Sequence, residues 1–260
     1  MLPHIRLQSA SVRGGCPATV ALMSAPRRWS LMVPLAGLAA AVLLLPFAGT
    51  ALVPEPIREL SSYLVVWIPL VAAVVVAVRL AMRRRSEPWW RTLRLPLSVM
   101  GAAVGVFVGL AARTAGVILE VLVTGRIGVG PGIAGNGATI ALGLATAIVA
   151  SVILAPVIEE SFFRGALLPA VEERFGRGRG RAWLGIALVA IVFAAVHALA
   201  GGSPLAVAIT LLAGVGFGAV ARAQGVGSAM VAHVVFNASG LVLTFGSAGV
   251  SPLPPTLALG

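Results

Sequence analysis

The stretch APVIEESFFRGALLP (Ala155–Pro169) sets two adjacent glutamates, and an arginine four residues after the second, inside an apolar run. On a soluble helix such charges would need no comment. At the centre of a bilayer each costs about 2.5–3.5 kcal/mol or more, so they pair with one another or face a cavity. The rest of the chain decides which case applies. Of its 260 residues 59% are apolar and only 10% charged, where soluble domains carry about 25% charged residues. The expected fold is therefore all-α, a polytopic transmembrane helix bundle.

A spanning helix needs about 20 apolar residues. Seven runs qualify, near Leu31–Val53, Leu64–Met82, Leu95–Val123, Ala138–Ala170, Trp183–Ala200, Leu205–Ala221 and Val226–Ala248. The organisation expected is a cytosolic tail over 1–30, a bundle over 31–248 and a C-terminal tail over 249–260. The fourth run is overlong and contains Pro156, which predicts a kink or a separate short segment before it. RRRSEPWWRTLR (Arg83–Arg94) mixes cations with two tryptophans, as a segment at a membrane surface does. FGRGRGR (Phe175–Arg181) reads as a flexible basic loop.

The net charge of +11 comes entirely from arginine and glutamate, since Lys and Asp are absent. These arginines separate apolar runs rather than forming one patch, which points to topology and not to nucleic acid. Fourteen lie in the N-terminal tail and the second, fourth and sixth loops, against two in the first and third loops. That asymmetry puts the N-terminus in the cytosol and, after seven spans, the C-terminus outside. The setting expected is a bacterial plasma membrane. PRRWSLMVPLAGLAAAVLLLPFAGTA (Pro26–Ala51) has the regions of a signal peptide, but the downstream charge alternation favours an uncleaved first helix, with Met23 as an alternative start. Cys16 is the sole cysteine, so no intramolecular disulfide forms. With no lysine there is no Walker-type phosphate loop.

Helical spacing sorts the opening motif. Glu160 and Arg164 are i, i+4 neighbours and pair on one face, while Glu159 points about 100° away. A desolvated carboxylate with no cation of its own is the group a general base requires. The plainer alternative is a buried ion pair that fixes packing, but packing alone does not require the second acid. Two of the three histidines, His197 and His233, lie inside apolar runs. Phe193 precedes His197 by one turn, and Asn237 follows His233 by one turn on the same face. Each histidine alone is more simply a hydrogen-bonded packing residue; together with the di-glutamate helix they point to a shared polar cavity. At about 1.5 Å per residue, Glu159 and His197 lie roughly 20 Å from the cytosolic ends of their helices and His233 roughly 14 Å, near mid-membrane.

Glu159-Glu160-x-x-x-Arg164, Phe193-x-x-x-His197 and His233-x-x-x-Asn237, in this order on separate helices, resemble the motifs of the CPBP family. These are the CAAX-protease and bacteriocin-processing intramembrane proteases, also called Abi proteins. The flanks RGALLP and GVGFGAVARAQGVGSAMVAH fit as well. The resemblance covers a catalytic core near 150–240. It implies an intramembrane endopeptidase in which Glu159 and His197 activate a water and His233 and Asn237 stabilise the oxyanion. Glu160, Arg164 and Phe193 then support the site. The family has also been described as metalloproteases; in that case Glu159, His197 and His233 would be zinc ligands in a His₂Glu set. The expectation is metal-independent glutamate chemistry with no cofactor, zinc being the alternative. The implied partners are the bilayer and a peptide or membrane-protein substrate, prenylated or not.

Other intramembrane proteases are excluded by what the chain lacks. There is no Asp for an aspartyl pair and no HExxH, and GVGSA around Ser228 misses the rhomboid Gly-x-Ser-Gly. Two further readings stand beside the protease: a Glu/His proton-relay transporter, encouraged by Arg113 and Glu120 on one face of the third run, and a non-catalytic scaffold or immunity factor of the same family. The first lacks the internal repeat that many carriers show.

Overall fold

The computed structural model of the chain describes residues 29–47, 55–83, 87–127, 147–175 and 178–246. The two candidate start sites, the signal-like Pro26–Arg28 and the C-terminal tail lie outside them. Among the described residues the elements are helical throughout. They are α1 (Met32–Leu44, ending in a 3₁₀ turn Leu45–Phe47), α2 (Glu55–Met82), the short α3 (Trp89–Thr92), α4 (Val99–Thr124), α5 (residues 147–175), α6 (Arg179–Leu199), α7 (Pro204–Gln224) and α8 (Val226–Gly246).

Five helices are long and apolar enough to cross a membrane: Tyr63–Met82, Val99–Thr124, Arg179–Leu199, Pro204–Gln224 and Val226–Thr244. They correspond to the second, third, fifth, sixth and seventh expected spans. The first span is helical only over Met32–Phe47 among the described residues. In the fourth, 138–146 are not described, and the helix from 147 onward is not uniform. An α-helical middle, Ala155–Phe162, is flanked by two π-helical segments, Ala147–Leu154 and Phe163–Leu167, before α-helix resumes over Leu168–Phe175. Widened turns thus stand where a kink or a separate short segment was expected. Pro156 contributes directly, because it has no N–H to offer the carbonyls of the preceding turn. The basic loop is also shorter than the sequence suggests. Gly178, at φ 141°, turns the chain, and Arg179–Arg181 already form the first turn of α6.

Packing follows the logic of lipid-embedded helices, where small residues rather than apolar bulk bring backbones together. Gly101, Gly105 and Gly109 recur every fourth residue on α4 and are buried against α8. A Cβ at Gly109 would collide with the Ala232 carbonyl oxygen and lie 3.0 Å from the Val235 Cβ, neither of which can swing away. Gly109→Leu should therefore lower stability by about 1–3 kcal/mol, read as thermal unfolding in detergent. Ala111→Leu, on the exposed face of the same helix, should change little. A larger cluster containing Phe162, Phe163, Leu167, Ile186 and Phe193 packs α5 and α6 onto α1 and α2. α8 packs along α4 and also directly against the middle of α5.

Candidate active site

In the middle of α5, helical phase separates the two glutamates as their spacing requires. Glu160 turns fully inward and Glu159 turns aside, its side chain 16% exposed. Arg164 Nη1 donates to Glu160 Oε1 at 2.8 Å, with both side chains fully buried. The guanidinium continues across the bundle, where Nη2 donates to the Gly214 carbonyl of α7 at 3.0 Å. It also lies over the Phe193 ring, 4.7 Å from the centroid, with Phe217 at 5.6 Å. An arginine wrapped in aromatic faces retains an attractive environment for its charge. Glu160 Oε2 and Arg164 Nε are left without hydrogen-bond partners among the described residues.

Glu160 reaches further than the sequence suggests. Its Oε1 also accepts from His233 Nδ1 at 2.9 Å, joining α5 to α8. A carboxylate oxygen accepts, so Nδ1 carries the hydrogen and Nε2 faces outward. There Nε2 lies 4.0 Å from Glu159 Oε2. His197 is fixed in the same sense. Its Nδ1 lies 2.9 Å from the Phe193 carbonyl oxygen, which can only accept, so Nε2 is the free nitrogen of the neutral ring. Phe193 therefore acts through its backbone as well as its ring, which meets His197 edge-on at 4.5 Å and His233 at 5.9 Å. Phe217 stacks on His233 at 4.8 Å. Both imidazoles are held in one orientation by aromatic packing.

Glu159, His197, His233 and Asn237 line a single cavity of about 260 Å³. The structure thus brings together the four residues that the motifs single out, from α5, α6 and α8. Asn237 Nδ2 donates to the Ser151 carbonyl at 2.7 Å. That carbonyl is available because Pro156, five residues on in the π register, has no N–H to give it. One amide hydrogen of Asn237 remains for a ligand.

Sequence reasoning missed several lining residues. Tyr63 and Trp67 enter from α2, Ser151 from the first π segment, and Thr210 and Phe217 from α7. Tyr63 lies 3.1 Å from Ser151 Oγ, so α2 braces the same turn that anchors Asn237. Two signals were present: Tyr63 is the sole tyrosine of the chain, and Ser151 is the single polar residue in AIVASVIL.

Arg113 and Glu120 are near each other, with Nη1 to Oε1 at 3.9 Å. The stronger partner of Arg113 is α8. Its Nε and Nη2 donate to the Phe236 carbonyl at 3.2 and 3.1 Å, and its guanidinium carbon lies 3.9 Å from the Phe236 ring centroid. Arg113 is thus a clamp between α4 and the turn of α8 that carries Asn237.

No three His, Cys, Asp or Glu side chains among the described residues are placed to hold a metal ion. The Nδ1 bond of His233 to Glu160 leaves its Nε2 directed at the cavity, the orientation that a carboxylate-backed histidine also has when it ligates a metal.

Residues 141–239 match the protein-family model described as Rce1-like, Type II CAAX prenyl endopeptidase Rce1-like. No curated protein and no solved structure matches the chain.

Proposed function

We propose that the chain is an intramembrane endopeptidase of the CAAX-protease type in which Glu159 and His197 activate the attacking water, a reading supported by the match of residues 141–239 to the Rce1-like family model. The observation that carries this reading is the one cavity shared by Glu159, His197, His233 and Asn237. Water held between the Glu159 carboxylate and His197 Nε2 attacks the scissile carbonyl carbon, and Glu159 takes its proton. The tetrahedral oxyanion is met by Asn237 and by Nε2 of His233. His233 donates from Nε2 only as an imidazolium, and Glu160 is its counter-charge. With His233 in that form, Glu159, Glu160, Arg164 and His233 sum to zero charge, which suits a desolvated site. Collapse breaks the C–N bond, and the proton held by Glu159 passes to the leaving amine. No step is routed through a metal.

We also infer that the N-terminus lies in the cytosol, from the distribution of arginines between the loops. The substrate is a peptide segment that reaches mid-bundle, with or without a lipid anchor.

The test is cleavage of a panel of quenched peptides, with and without a C-terminal isoprenyl cysteine, by detergent-purified protein. Asn237→Ala should lower kcat by roughly 10²–10³-fold, the loss found for a single oxyanion donor, with KM changed far less. An Asn237→Ala protein as active as wild type would remove this residue from the oxyanion site.

A further inference from the structure

The seam between α2 and α5 continues past the site. Tyr63 and Trp67 line the site cavity. Val71, Val74, Val78 and Met82 follow on one face of α2 at helical spacing, and there they wall a second cavity of about 440 Å³. Val157 and Ile158 of α5 close its other side, with Leu93 and Trp89 at the α3 end. Apart from Arg79, Ser161 and the Trp89 indole, every lining side chain is apolar, and none is a carboxylate. The Ser161 hydroxyl is already spent on the Val157 carbonyl at 2.7 Å.

Arg79 is exposed and makes no salt bridge among the described residues. Arg83, just past the end of α2, and Arg91 on α3 are exposed at the same end of the bundle. Trp89 and Trp90 stand beside them, 52% and 46% exposed, as tryptophans do at the headgroup level of a bilayer. An apolar groove with cations and indoles at its mouth restricts what can fill it. Water finds too few polar partners there. A peptide segment would bury N–H and C=O groups with nothing to pair them. A zwitterionic headgroup would bring its own cation towards Arg79 with no lining carboxylate to receive it.

We propose that the α2–α5 groove binds an anionic glycerophospholipid, one acyl chain lying along Val71–Met82 and the phosphate resting on Arg79. The chain packs against Val157 and Ile158, the two residues before Glu159, so the bound lipid buttresses the turn from which that side chain projects.

The purified full chain, exchanged into maltoside detergent and supplied with phosphatidylglycerol or phosphatidylcholine, allows bound lipid to be counted by native mass spectrometry. Wild type should retain one phosphatidylglycerol in preference to phosphatidylcholine. Arg79→Gln, a change at an exposed position, should weaken phosphatidylglycerol retention about fivefold, the effect of one surface arginine on an anionic headgroup. Val75 also lines the cavity, and Val75→Trp, which fills it, should abolish retention of either lipid while the melting temperature shows that the protein remains folded. Glycerol phosphate and inorganic phosphate, which lack a chain, should not displace the lipid. Equal retention of both lipids by wild type, displacement by free phosphate, or unchanged retention in either variant would overturn the assignment.

Discussion

Glu159→Gln should abolish peptide cleavage and leave the fold intact. The substitution keeps the shape of the side chain and removes its negative charge, and with it the capacity to take a proton. General-base catalysis contributes roughly 10²–10⁴-fold, and kcat should fall by that factor with KM nearly unchanged. Stability should hardly move, because Glu159 faces the cavity and its nearest charged partner, His233 Nε2, is 4.0 Å away. Cleavage rates and melting temperature measured on the same preparation check both halves. The neighbouring Glu160→Gln should behave differently and lower stability as well as rate, since Glu160 Oε1 holds both Arg164 and His233.

Arg164→Met should cost about 3–5 kcal/mol of stability, the penalty for stranding one partner of a buried ion pair. Glu160 would then be fully buried with no cation beside it except protonated His233. The double variant Glu160→Gln/Arg164→Met should recover most of that loss, because a neutral pair no longer pays the desolvation of a lone charge. Activity should not return with it. A glutamine amide oxygen can still accept from His233 Nδ1, but it brings no negative charge to balance the imidazolium. Thermal unfolding of the two single variants and the double gives the coupling between these residues, and the rates separate packing from function.

Much of this architecture is legible in the sequence because membrane spans and their charges obey strong local rules. Hydropathy alone finds α2, α4, α6, α7 and α8, and i, i+4 spacing alone predicts that Glu160 meets Arg164. Phe193 and His197, one turn apart, also follow from spacing. The detail of α5 does not. Proline announces an interruption but not its form, and π turns depend on how neighbouring helices satisfy freed carbonyls, as Asn237 does for Ser151. The tie between Glu160 and His233 spans 73 positions of sequence and has no local signature. Nor does the entry of Tyr63 and Trp67 from α2, which depends on tertiary packing. Arg113 shows the same limit: spacing points to Glu120, whereas the closer partner is a backbone carbonyl on α8.

The most direct test of water attack at this site is cleavage of a susceptible peptide in ¹⁸O-labelled water, comparing wild type with Glu159→Gln and His197→Gln. The account predicts one ¹⁸O in the new C-terminal carboxylate from the wild-type protein, and product formation lost in both variants. Labelled product accumulating at the wild-type rate in Glu159→Gln would contradict it.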